Sequence, residues 1–170
     1  MAVRSYGRSM VVAAWILFLL LVTWLFQGLL QNQHNPNSSP SVNHSETGQI
    51  EVRLKRNRSG HYVTNGTING KNVVFLVDTG ATDVALSDGL AQSLGLRPGA
   101  SIILSTANGR VRGYKSRIAE ISVGDIVQRD IAAVISPGIA DNAVLLGMSF
   151  LKNLELVQKG RTLTLRTAEP

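Results

Sequence analysis

The 170-residue chain has room for one ordinary domain plus extensions, and its 44% apolar content is ample for a core. Its net charge of +6 is scattered and no aromatic residues interleave along a basic stripe, which argues against nucleic-acid binding. The lack of cysteine excludes disulfides, thiolate catalysis and cysteine-ligated zinc.

Residues 1–9 carry Arg4 and Arg8, and residues 10–30 then contain no charge, only Thr23, Gln27 and Gly28 interrupting the apolar run. At 1.5 Å per residue this run is long enough to cross a bilayer core of roughly 30 Å. It stays bulky through Trp24, Leu25 and Phe26, unlike the small-residue end of a cleaved secretory signal, so an uncleaved transmembrane helix is expected. The next charge after it is Glu46. The positive-inside rule therefore puts residues 1–9 in the cytoplasm and makes the rest of the chain face outward.

Residues 31–48 hold Asn, Ser, Pro, His and Gln with almost no apolar residue, the composition of a solvated linker. His34, His44 and His61 have no acidic or cysteine partners at ligand spacing, so neither a metal site nor a cofactor is expected. From residue 49 to 168 the pattern is that of one β domain. Ile50, Val52 and Leu54 alternate with Glu51, Arg53 and Lys55, giving a half-buried or edge strand. A second strand runs from His61 to Ile68, and Asn69-Gly70 predicts a tight hairpin to the next.

That next strand, Val73 to Val77, is wholly apolar and ends in Asp78-Thr79-Gly80, so it delivers one carboxylate into a turn where the chain leaves the core. Burial raises a carboxylate's pKa and hydrogen bonds to the ionised form lower it, so such an Asp is tunable for proton transfer. Asp, Thr and Gly are also ordinary turn formers, and Asp78 as a mere turn cap is the plain alternative. Val84-Ala85-Leu86 is a short strand, and Ser87 to Gly95 has a Ser N-cap, an acidic first turn and a closing Gly, hence a short helix.

Ile102 to Ser105 is a strand entering Thr106-Ala107-Asn108-Gly109-Arg110, where Asn108-Gly109 predicts a hairpin returning through Val111, Tyr114 and Ile118 to Val123. Arg110, Arg112, Lys115 and Arg117 crowd the return arm, either as a solvated face or, over a cleft, as a preference for acidic substrate side chains. Ile126 to Ile135 is another strand. Ala143 to Leu146 is a continuous apolar run, hence a strand buried on both faces, after which Gly147 lets the chain turn closely into a short helix from Met148 to Lys152. Leu154 to Val157 and Thr162 to Leu165 form a last hairpin.

The stretch Phe75-Leu76-Val77-Asp78-Thr79-Gly80-Ala81-Thr82 resembles the active-site segment of aspartic proteases, and Leu145-Leu146-Gly147 resembles their second hallmark. Over roughly Gln49 to Arg166 the chain resembles single-lobe, retropepsin-like aspartic proteases, particularly the membrane-anchored bacterial ones. The resemblance implies an all-β closed barrel lobe with one or two short helices behind the transmembrane helix. It implies an endopeptidase acting on peptide or protein substrates. Because Asp-Thr-Gly occurs once, it also implies a twofold homodimer in which the two Asp78 carboxylates share a proton.

By that resemblance Thr79 links the two active-site loops, Gly80 admits close backbone approach, Leu146 and Gly147 support the Asp turn, and Thr106 to Gly109 form the tip of a substrate-covering flap. Ala81 lacks the hydroxyl that would depress the carboxylate's pKa, so a mildly acidic optimum is expected. Retroviral members carry Asp two residues after the glycine, whereas here Thr82 precedes Asp83. A noncatalytic β domain that binds peptides or dimerises is the alternative reading.

Overall fold

The computed structural model describes residues 3–46, 48–106, 109–139 and 143–168. Helix α1 (Val3–His34) contains the apolar span Ser9–Gln27, with mean hydropathy 2.4 and none of it buried against the rest of the chain. Length and composition suit a membrane crossing, a test that anchors and signal sequences both pass. The helix continues past residue 30 to His34.

The segment expected to be a solvated linker is not free of the domain. It contains strand β1 (Ser41–His44), paired antiparallel with β2 (Ile50–Lys55), and Asn37 is only 3% exposed. The Asn37 amide donates to the carbonyls of Lys55 at 2.9 Å and Val63 at 2.7 Å, and its Oδ1 accepts from the Lys55 N–H at 2.6 Å. A side chain that mimics a peptide group docks this stem without apolar burial.

A four-stranded antiparallel sheet has the order β1-β2-β11-β10, with β10 (Leu154–Lys159) and β11 (Thr162–Thr167) forming the final hairpin. Alternation sends Val52, Leu54, Leu163 and Leu165 into the core and leaves Arg53 and Lys55 outside.

The second sheet has the order β3-β4-β9-β5-β8-β7-β6. Its strands are β3 (Val63–Ile68), β4 (Lys71–Val77), β5 (Val84–Leu86), β6 (Ser101–Thr106), β7 (Gly109–Val123), β8 (Ile126–Ile135) and β9 (Val144–Leu146). Asn69 and Gly70 take φ of 50° and 77°, the left-handed turn their sequence demands between β3 and β4. The long β7 pairs first with β6, then with β8, and finally at Thr67↔Ser122 and Ile68↔Ile121 with β3. That last pairing carries the sheet round into a ring. It needs Gly66, where a Cβ would lie 2.2 Å from the Ser122 carbonyl oxygen and 2.7 Å from the Phe75 ring.

Phe75, Ile118, Ile121, Phe150 and Leu151 fill the interior completely shielded from solvent. Two short helices close the domain, α2 (Asp88–Ser93), where the Ser87 hydroxyl accepts from the Leu90 N–H at 3.2 Å, and α3 (Met148–Leu151).

Candidate active site

The site is built on three strands. β9 lies parallel to β4, with Leu76↔Leu145 and Val77↔Leu146, and antiparallel to β5 through Ala85↔Leu145. The strand entering the Asp loop and the strand leaving it therefore flank one inserted strand. Residues 78–83 must cross over its end.

The crossing is fixed by backbone hydrogen bonds. The Asp78 N–H donates to the Leu146 carbonyl at 3.2 Å, the Met148 N–H to Ala81 at 2.8 Å and the Ser149 N–H to Thr82 at 2.9 Å. Gly147 sits where any side chain would strike backbone, since a Cβ there would be 2.2 Å from the Asp83 carbonyl oxygen and 2.8 Å from that of Ala81. At this crossing Leu146 gives a carbonyl and Gly147 gives room.

Within the turn the Gly80 N–H donates to Asp78 Oδ1 at 2.9 Å, and the Ala81 N–H to the Asp78 carbonyl at 3.3 Å. Asp78 is half-buried while Thr79 and Gly80 are exposed. Among the described residues the second carboxylate oxygen of Asp78 and the Thr79 hydroxyl have no hydrogen-bond partner. One edge of the loop is clamped and the other faces outward.

Ser149 is a positioning residue that sequence reasoning missed. Its hydroxyl accepts from the Val84 N–H at 3.0 Å and donates to the Ala132 carbonyl at 2.8 Å, tying the end of the Asp loop to β8. A lone serine in a short helix gives no periodic or motif signal, so only the fold reveals it.

The β6–β7 hairpin pairs up to Ser105↔Arg110 and Thr106↔Gly109. Ala107 and Asn108, expected at the flap tip, lie outside the described residues. Of the basic arm, Arg117 pairs with Asp130, whereas Arg110, Arg112 and Lys115 have no ion-pair partner among the described residues. Lys115 and Arg117 join Arg97 and Asp83 around a cavity of about 590 Å³, so the carboxylate five positions after Asp78 opens onto a mostly basic recess. Among the described residues no group of three His, Asp or Glu gathers as a metal site.

A ring of strands that presents one carboxylate on a clasped Asp-Thr-Gly turn is the architecture of an aspartic protease lobe. Residues 64–153 match the family model described as "gag-polyprotein putative aspartyl protease", and the chain belongs to that family. The fold is retropepsin-like: a crystal structure of a retropepsin-like aspartic protease from Rickettsia conorii is similar with a TM-score of 0.58 and 27% identity, covering 76% of this chain and 94% of that one. An uncharacterised protein of the cobV 5′ region in a Sinorhizobium species is 39% identical over 126 residues, 72% of this chain and 54% of that protein. An uncharacterised protein of Rickettsia prowazekii is 31% identical over 108 residues, 62% of this chain and 46% of its own length. The chain spans about half the length of these two curated relatives.

Proposed function

We propose that the chain is a membrane-anchored aspartic endopeptidase in which two copies bring their Asp78 carboxylates together on a twofold axis. Like charges that close cannot both ionise, so one carboxylate takes a proton from water while its protonated partner polarises the scissile carbonyl. The water oxygen bonds to the carbonyl carbon, and the proton passes on to the leaving amine as the C–N bond breaks.

The observation that carries this reading is the one-sided loop. The loop is held from within, Asp78 by the Leu146 carbonyl and Ala81 by the Met148 N–H, while Thr79 and Gly80 stand exposed and the Thr79 hydroxyl lacks a partner among the described residues. A second copy of the same loop would supply that partner, each Thr79 bonding across the axis. The β6–β7 hairpin, with Thr106, Ala107, Asn108 and Gly109 at its end, is assigned to cover an extended peptide.

The anchor reading is supported by contacts at the exit of α1, where the Asn57 amide donates to the His34 carbonyl at 3.0 Å and Arg58 donates to Gln33 Oε1 at 3.0 Å. The domain holds the end of the helix as part of its own structure, as suits an uncleaved segment. We place the N-terminus in the cytoplasm and the β domain outside the inner membrane.

The test is proteolysis of an unfolded protein by the full chain in detergent or liposomes, between pH 4 and 7 and at several protein concentrations. Activity rising faster than linearly with enzyme, and reduced at least about 100-fold by Asp78→Asn, is the expected result. Equal cleavage by the variant, at concentrations where a dimer is present, would replace the protease with a peptide-binding domain.

A further inference from the structure

We infer that the base of the β domain, where α1 leaves it, is a docking surface for anionic phospholipid headgroups. The inference rests on the membrane-anchor reading above and is independent of catalysis. Its elements are the β2–β3 loop and the β10–β11 turn, which meet at this end of the four-stranded sheet. The Arg56 N–H donates to the Arg161 carbonyl at 2.8 Å, and the Arg161 guanidinium returns a bond to the Arg56 carbonyl at 3.2 Å. Asn57 and Arg58 of the same loop bond to His34 and Gln33, so both turns are fastened beside the end of the helix.

These turns carry Lys55, Arg56, Arg58, Lys159 and Arg161, and residues 52–77 and 156–168 contain no Asp or Glu. None of the five has an ion-pair partner among the described residues. The sheet's carboxylates lie at the opposite end, where Glu51 and Glu155 both engage Arg166. Register shows the segregation: Lys55 and Lys159 each face Thr162, while Glu51 and Glu155 each face Arg166. Four strand positions separate Lys55 from Glu51, about 13 Å at the rise of a strand and beyond the screening length of roughly 8 Å.

The height of this base above the bilayer follows from the helix. From Gln27, the end of the apolar span, to His34 is seven residues, or about 10 Å at 1.5 Å each. The headgroup layer adds roughly 5–8 Å to each side of the hydrocarbon core. The five cations are thereby held at the outer edge of the headgroups, where long Lys and Arg stems extend toward phosphates. Near an anionic surface each such residue contributes about 1 kcal/mol, a factor of about five in the surface-bound population.

The chain has no cysteine, so Ser59→Cys in the exposed β2–β3 loop gives a single labelling site on the full protein. The labelled chain is reconstituted in vesicles of phosphatidylcholine alone or with phosphatidylglycerol, each containing a headgroup-attached quencher, and flotation confirms insertion. Stronger quenching with phosphatidylglycerol, reversed by high salt and weakened by about fivefold in population for each of Arg56→Gln and Lys159→Gln, is the expected result. Thermal midpoints matching the parent show that the two variants remain folded. An inserted chain whose quenching ignores lipid charge and salt overturns the docking surface and leaves the anchor intact. A chain that fails to float with the vesicles overturns the anchor reading and the docking surface together.

Discussion

At the scale of single residues, the chemistry of the site depends on what each position lacks. Gly147 lacks the side chain that would collide with the Asp83 backbone, and this close approach is why Leu145-Leu146-Gly147 is legible in the sequence as a fixed companion of Asp78. Ala81 lacks a hydroxyl, three residues from a carboxylate whose Oδ1 accepts, among the described residues, the Gly80 N–H alone. An Ala81→Ser substitution would add a hydroxyl donor for the ionised form of the carboxylate. The pH optimum of proteolysis should then move toward more acid pH with little loss of maximal rate, and an unmoved optimum would mean that position 81 does not tune the pair. Ser149 lies at the opposite limit of legibility. Its two hydrogen bonds join Val84 and Ala132, residues that no local pattern connects to it.

Among the elements, alternation in β2 reported its one buried face, whereas the apolar runs in β4 and β9, which promise two, bury one face and the other only in part. The stem from Asn35 to His44 was illegible for a physical reason. It docks through the Asn37 side chain and an edge strand, and side-chain-to-backbone hydrogen bonds leave no apolar period to read. At the other end of the four-stranded sheet, hydrogen bonding to Arg166 holds the Glu51 carboxyl below its ordinary value of 4.5, with Arg53 adding to the effect. A depressed folded-state pKa gives stability that is present above the unfolded value and lost as pH falls through the folded one. The melting temperatures of the parent and Glu51→Gln should therefore differ at neutral pH and converge as pH falls below 4.5. A gap that stays constant through the acid range would show that the pair contributes nothing that titrates.

For the whole molecule, the insertion of β9 between β4 and β5 is the decisive arrangement, and strand patterns alone do not encode it because neighbours in the sheet are distant in sequence. The dimer proposed around Asp78 makes concentration a control on activity, and the proposed anchor, by confining both copies to one bilayer, would raise their effective concentration. The clasp of Asn57 on His34, together with the Asn37 peg, has a further consequence. With the anchor as proposed, the fastened helix exit makes α1 a keyed shaft whose rotation about its own axis sets the compass bearing of the Asp78 loop in the plane of the membrane. Inserting one alanine after Leu30 would turn that bearing by about 100° and raise it by about 1.5 Å, whereas four alanines would return it to within about 40°. Membrane-bound activity that collapses with one inserted residue and recovers with four would reveal the angular gearing, and equal activity in the two insertion variants would show a free swivel.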